Sequence, residues 1–283
     1  MLYLRGALLR RTSLRMSPFF APPIMSLSDR SVYSSQPVPL AHEVDGFLRD
    51  ARPDAIEGEL LALIVPDSNL RSGGKISAEA YKLLEGREID LVIVIAPSHD
   101  GTFDRLSICK VDEYHTPLGV VPVNDAIRNE LCDEDDDIFL DDQGHYHTEG
   151  VDVQLPFLQQ VLGEGFSIVP IVMGAETPAL CRELGNAVGE VMYGHRALVV
   201  ASADLINIEG DALGRFEKAL ESFDITTLLH LLGSEKIKIE GMGAVIVAVL
   251  AAQHRRANKA SLLHITEPHD EHIGALACAL WRE

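Results

Sequence analysis

The chain has 283 residues, 47% of them hydrophobic, so it can bury a substantial core without disulfides or a partner to fold against. A formal charge of -19 and an isoelectric point near 4.9 argue against nucleic acid and anionic membrane as partners, because both are polyanions. The four cysteines (Cys109, Cys132, Cys181 and Cys278) have no paired spacing, which argues against a disulfide framework or thiolate zinc site and favours a reducing compartment. The longest apolar runs, such as Ala244 to Ala252, fall well short of the roughly 20 residues a membrane helix needs. The expectation is a cytoplasmic protein without a membrane span.

Residues 1–28 carry Arg5, Arg10, Arg11 and Arg15 and no acidic side chain. That is the composition of an organellar transit peptide, or of an over-extended start upstream of Met16 or Met25. From Asp29 the balance turns acidic, and residues 29–283 read as one domain, with no linker and no repeat of fixed period. A short helix is expected over Ala41 to Arg49, and Leu60 to Val65 is an apolar strand that leads into Pro66-Asp67-Ser68. Gly73-Gly74 and a helix over Ser77 to Leu84 follow. Leu91 to Ile95 is a second buried strand, and Ala96-Pro97-Ser98 hands His99 to its carboxyl end, where open α/β sheets build their sites.

Shorter strands are expected over Leu106 to Val111 and Gly119 to Val123, flanking Tyr114-His115-Thr116-Pro117-Leu118-Gly119, and Asn124 caps a helix to about Leu131. The run from Asp133 to Asp137 lacks the glycine and terminal glutamate of a calcium loop and reads as a solvated acidic loop. Val151, Leu155, Leu158 and Leu162 keep helical spacing through Pro156, so a kinked helix is expected from near Glu149. A strand over Phe166 to Met173, a helix over Ala179 to Met192 and a strand over Ala197 to Ser202 continue the alternation. Helices over Gly210 to Phe223, Thr226 to Leu232 and Gly241 to His254 precede two closing strands, Ser261 to Thr266 and Ile273 to Trp281. The fold class is α/β: a central, mostly parallel or mixed sheet flanked by helices.

Asp67, His99 and Asp204 stand at three strand exits, and Glu240 precedes the long apolar helix. One imidazole with carboxylates suits iron(II), manganese or zinc better than copper(I). The same pattern also fits Asp67 and Asp204 as helix caps and His99 as a hydrogen-bonded loop residue. His115, His145 and His147 are expected as exposed loop histidines that could serve as ligands or proton carriers. No nucleophile elbow, phosphate-binding loop or dinucleotide glycine motif is present.

Five segments taken together resemble the Memo family, whose prokaryotic members include the AmmeMemoRadiSam system protein B. They are Ile95-Ala96-Pro97-Ser98-His99, Tyr114 to Gly119, Val153-Gln154-Leu155-Pro156-Phe157-Leu158, Ile168 to Gly174 and Ala201-Ser202-Ala203-Asp204-Leu205. The resemblance runs from about Val32 to the C-terminus and implies a fold similar to the class III extradiol dioxygenases, non-haem iron enzymes with a two-histidine, one-carboxylate site.

This sequence departs from the family pattern at the site itself. The first metal-site histidine is replaced by Asp67, the histidine after His99 by Asp100, and the family's metal-site cysteine by Glu240. The family's His-Ser-x-Glu stands as Glu149-Gly150-Val151-Asp152, and the histidine after Asp204 becomes Asn207. Asn207 exchanges no proton near neutral pH, which weighs against extradiol cleavage unless His115 or His147 takes the role. The resemblance therefore implies a remodelled divalent-metal site of Asp67, His99 and Glu240, with His99, His115 and Asp204 as catalytic candidates. It would act on a small molecule in an oxidative or hydrolytic step. The alternative is a non-catalytic binding or scaffold protein with a decayed site, using the same cleft for a peptide or protein partner.

Overall fold

A computed structural model describes residues 32–101, 103–134, 137–146, 148–269 and 273–283. The reading of residues 1–28 lies outside them, as does His147.

Five strands carry the first half of the chain: β1 (Glu59–Val65), β2 (Leu91–Pro97), β3 (Leu106–Ile108) and the hairpin of β4 (Glu113–Thr116) and β5 (Gly119–Pro122). The second half supplies β6 (Ile138–Leu140), β7 (Ser167–Met173), β8 (Ala197–Ser202), β9 (Asp204–Ile208), β10 (Ile237–Glu240), β11 (Lys259–Thr266) and β12 (Gly274–Arg282). Ten of these strands form one sheet in the order β10-β9-β12-β1-β8-β2-β7-β3-β6, with β11 paired to β12; β4 and β5 form their own ribbon. The centre, β1-β8-β2-β7, is parallel, whereas β12, β9, β10 and β11 extend one side antiparallel. The mixed sheet expected from the sequence is therefore present. Strands β4, β6, β9 and β10 were not expected, because each is short and β4, β9 and β10 interrupt their apolar residues with charged, polar or amide ones; His115, expected in a loop, lies on β4.

The continuous apolar runs of the central strands follow from burial on both faces. Along β2, Leu91, Ile93 and Ile95 enter the core on one side while Val92, Val94 and Ala96 enter the other. On the first side lie α3 (Asp125–Glu134), α6 (Pro178–Val191), α7 (Ala212–Glu221), α8 (Ile225–Leu232) and α9 (Met242–His254). On the second lie α1 (Pro37–Asp50), α2 (Leu70–Tyr81), α5 (Leu155–Leu162) and the hairpin residues Tyr114 and Val121. Helix α9 is apolar nearly all round because α6, α8 and the sheet enclose it.

Several element boundaries differ from expectation for local reasons. Helix α2 begins at Leu70, seven residues early, because Asn69 caps it by accepting from Ser72 N. The expected kinked helix is two helices, α4 (Glu149–Asp152) and α5, parted where Pro156 enters α5 at its first turn. Asn124 accepts from Ile127 N as expected, and α3 runs on through Asp133 and Glu134, so the acidic run begins inside a helix.

Helices α6 and α9 meet at Gly185, where an added Cβ would stand 2.6 Å from Leu250 Cβ. Gly185→Ala is expected to lower unfolding free energy by about 1–3 kcal/mol, against the gain its helix propensity alone would bring, as read by urea denaturation.

Candidate active site

The site is assembled by parallel register. Val65 of β1 pairs with Ser202 of β8, and Ile95 of β2 pairs with Ala201, so the three strands end side by side. Their exits release Asp67, Ser202 and His99 at one edge of the sheet. Ala203 N donates to Val65 O at 2.8 Å, the chain turns into β9 at Asp204, and β10 returns to place Glu240 opposite Asp204. Gly241 follows with φ +82, and a Cβ there would lie 2.3 Å from Ser202 O, so only glycine links Glu240 to α9 in this path.

His99 Nε2 lies 2.7 Å from Asp67 Oδ2 and 4.0 Å from Glu240 Oε1. The Asp67 side chain is 2% exposed, that of His99 26% and that of Glu240 43%, so the pair has a sealed end and an open end. The hydrogen bond to Asp67 raises the His99 pKa from 6.5 to about 9 against the opposing effect of burial, with smaller help from the charges of Asp67, Glu240 and Glu149. His99 is an imidazolium at neutral pH, and Nδ1–H is its remaining donor. Ser202 Oγ donates to the other Asp67 oxygen at 2.5 Å.

The remaining expected residues have other tasks. Asp204 is buried and accepts from Asp67 N at 3.1 Å and from the Ser68 hydroxyl, so it holds the loop that carries Asp67. Burial pushes its pKa up to about 6. Neither Asp67 nor Asp204 is a helix cap. His115 lies on β4 and pairs with Glu113 Oε1 at 2.7 Å, and its contacts do not reach Asp67, His99 or Glu240. The expectation of an exposed His145 is overturned: it is 6% exposed, its Nε2 is 3.0 Å from Ser107 O, and its Nδ1 is 3.3 Å from Tyr114 OH. A carbonyl only accepts, so Nε2 carries the proton and Nδ1 receives the tyrosine's. Burial lowers its pKa to about 4, which keeps it neutral.

Three residues that the sequence did not single out belong to the site. Glu176 accepts from Gly243 N at 2.9 Å, at the start of α9. Burial, with the nearby charges of Glu240 and Asp67, raises its pKa to about 7. Ser202 and Gln154 stand behind Asp67; Gln154, fully buried beside a run of apolar residues, was the visible signal.

The expected metal trio therefore meets, but as an ion pair with a second carboxylate beside it. Two donors bound to one ion at about 2.1 Å stand roughly 3.0–3.4 Å apart, so a 2.7 Å contact is that of a proton bridge. Among the described residues no group of three or more His, Cys, Asp or Glu side chains is arranged to hold a metal ion. As placed, these residues do not fit a divalent metal.

A mixed sheet with helices on both faces and a polar site at parallel strand ends defines an α/β protein of the three-layer class. An uncharacterized protein of Escherichia coli, known from its crystal structure, shares this fold at TM-score 0.53 and 14% identity, over 78% of this chain and 99% of that one. The family model for Memo-like proteins matches residues 30–275, and the chain belongs to the Memo family. It is 30% identical to a MEMO1 family protein of Sulfolobus acidocaldarius over 83% of this chain and 89% of that protein. It is 29% identical to one of Saccharolobus islandicus over 87% and 95%.

The ion pair gives stability a pH signature. A raised histidine pKa contributes stability that is complete below 6.5 and is lost as pH rises through about 9. Allowing for partial exposure of the ring, wild type is expected to lose on the order of 1–2 kcal/mol between pH 7 and 9.5. Asp67→Asn should lose about 1–2 kcal/mol less than wild type over that range, since Glu176, Asp152 and the buried cysteines titrate alike in both. Urea denaturation at the two pH values checks this.

Proposed function

We propose that this Memo-family protein binds a small polar molecule at the carboxyl end of its sheet and meets it with His99, a proton-bearing contact oriented by Asp67. The observation that carries this reading is the 2.7 Å contact between His99 Nε2 and a carboxylate sealed from solvent, with the ring open on its other side. Such a histidine donates: with its pKa raised to about 9 it is mostly protonated at pH 7, which suits a general acid rather than a base. Glu240, on the open rim, accepts. His99 Nδ1–H and the Glu240 carboxylate leave the site one free donor and one acceptor, which suits a molecule carrying both a carbonyl and an N–H, such as a carboxamide or urea-type group.

A second reading is favoured by one observation, the 4.0 Å approach of Glu240 to the same nitrogen. Iron(II), manganese or zinc would take one imidazole and two carboxylates, but only by expelling the proton between His99 and Asp67 and spreading the pair. No helix among the described residues is long and apolar enough to cross a membrane, and the compartment stays with the sequence expectation of a cytoplasmic or organellar protein.

One preparation tests both readings. Protein purified without chelator or affinity metal is expected to hold no stoichiometric iron, manganese or zinc by elemental analysis. Simple carboxamide and urea fragments are expected to shift the His99 ring resonances, about tenfold more weakly in Glu240→Gln. Close to one equivalent of metal, lost in Glu240→Ala, overturns the first reading and establishes the second; fragments that leave His99 untouched overturn the ligand class.

A further inference from the structure

A carboxylate has two equivalent oxygens and a free torsion, so a buried aspartate meets one histidine in one geometry only if its other oxygen is fixed. Here the fixing comes from behind the site. Tyr81 OH donates to Gln154 Oε1 at 2.9 Å; Gln154 Nε2 donates to Pro66 O at 3.0 Å and to Ser202 Oγ at 2.8 Å; Ser202 Oγ donates to Asp67 Oδ1 at 2.5 Å. Tyr81, Gln154 and Ser202 are 0% exposed, so no water competes for these bonds.

Donor chemistry sets every direction in this series. Pro66 O only accepts, so the amide nitrogen of Gln154 faces it and the amide oxygen faces Tyr81. The nitrogen has only protons to give, so Ser202 accepts from it and sends its own proton to Asp67. Space is set as tightly as polarity. A Cβ on Gly150 would stand 2.1 Å from Asp67 Oδ1 and 2.8 Å from Ala96 Cβ. Gly150 lies within α4 with no positive φ, so its small size, and not its backbone freedom, is what the site uses.

We propose that Gln154 is a positioning residue for the Asp67–His99 pair: through Ser202 it fixes the face that the Asp67 carboxylate turns to His99, in space that Gly150 leaves open. This rests on the reading of His99 as the proton-bearing contact. Without the Ser202 hydroxyl the Asp67 carboxylate loses the bond that fixes its torsion, and its contact with His99 loosens.

The test is the nuclear magnetic resonance signal of the His99 Nε2 proton in the full chain, labelled with nitrogen-15. Wild type is expected to show it far downfield and slow to exchange, as a charge-assisted bond requires. In Ser202→Ala and Gln154→Met it should move upfield and exchange at least about tenfold faster, with the backbone amide spectrum of the sheet retained. Tyr81→Phe, one link further out, should move it less and in the same direction. An unchanged signal in Ser202→Ala overturns the positioning role, and that variant, which removes one hydroxyl, decides the matter if Gln154→Met does not fold. A wild-type spectrum without the downfield signal overturns the Asp67–His99 reading itself, and the positioning role with it.

Discussion

The parallel pairing of β1, β8 and β2 is the constraint on which the rest of this protein depends. Parallel neighbours cannot be joined by tight turns, so every return is made by helices crossing a face of the sheet, and both faces are consequently buried. Burial on both faces requires the near-unbroken aliphatic runs of these strands. Parallel register also ends the three strands at the same level, so that residues 135 positions apart, Asp67 and Ser202, become hydrogen-bonded neighbours. The site is thus a by-product of strand direction, and its precision derives from the ladder beneath it.

Electrostatics at this edge follow from what each carboxylate accepts. Asp67 receives protons from Ser202 and His99, Asp204 from the Asp67 amide and Ser68, and Glu176 from the first turn of α9. Three acids close together are tolerable because each has donors, and because His99 supplies one full positive charge among them. Burial still raises the pKa of Asp204 to about 6 and of Glu176 to about 7, as it raises that of Asp152, beside Glu149, to about 7. The surplus of acids in the composition is therefore partly spent on holding loops, and it overstates the number of groups free to bind a cation.

The fold was largely legible in the sequence because burial on both faces leaves an aliphatic signature that no surface segment shares. Leu60 to Val65, Leu91 to Ile95 and Ala197 to Ser202 could be read directly as strands. Strands β9 and β10 could not, since Asn207, Glu209, Lys236 and Lys238 look like loop chemistry until the edge of the sheet stands beside them. Strand exits and the family resemblance pointed to Asp67, His99 and Glu240, which do lie side by side, yet neither signal says whether a proton or an ion lies between them; that is decided at the scale of a few tenths of an ångström. His145 misled because a histidine between glycine and tyrosine reads as exposed, while Tyr114 and Ser107, distant in sequence, give both its nitrogens partners. Gln154 and Ser202 stood inside two of the segments that carry the family resemblance, but only as polar residues in apolar surroundings, with no role attached.

The fixed amide of Gln154 has one more consequence. Hydroxyls and imidazoles can accept a proton on one side and release another on the opposite side; a carboxamide locked between a carbonyl and a tyrosine cannot do so at ordinary pH. The series from Tyr81 to Asp67 is continuous in hydrogen bonds and closed to proton traffic. The interior is thereby insulated from the site, and any proton that His99 gains or gives up must come from, or go to, the solvent side or whatever molecule rests there.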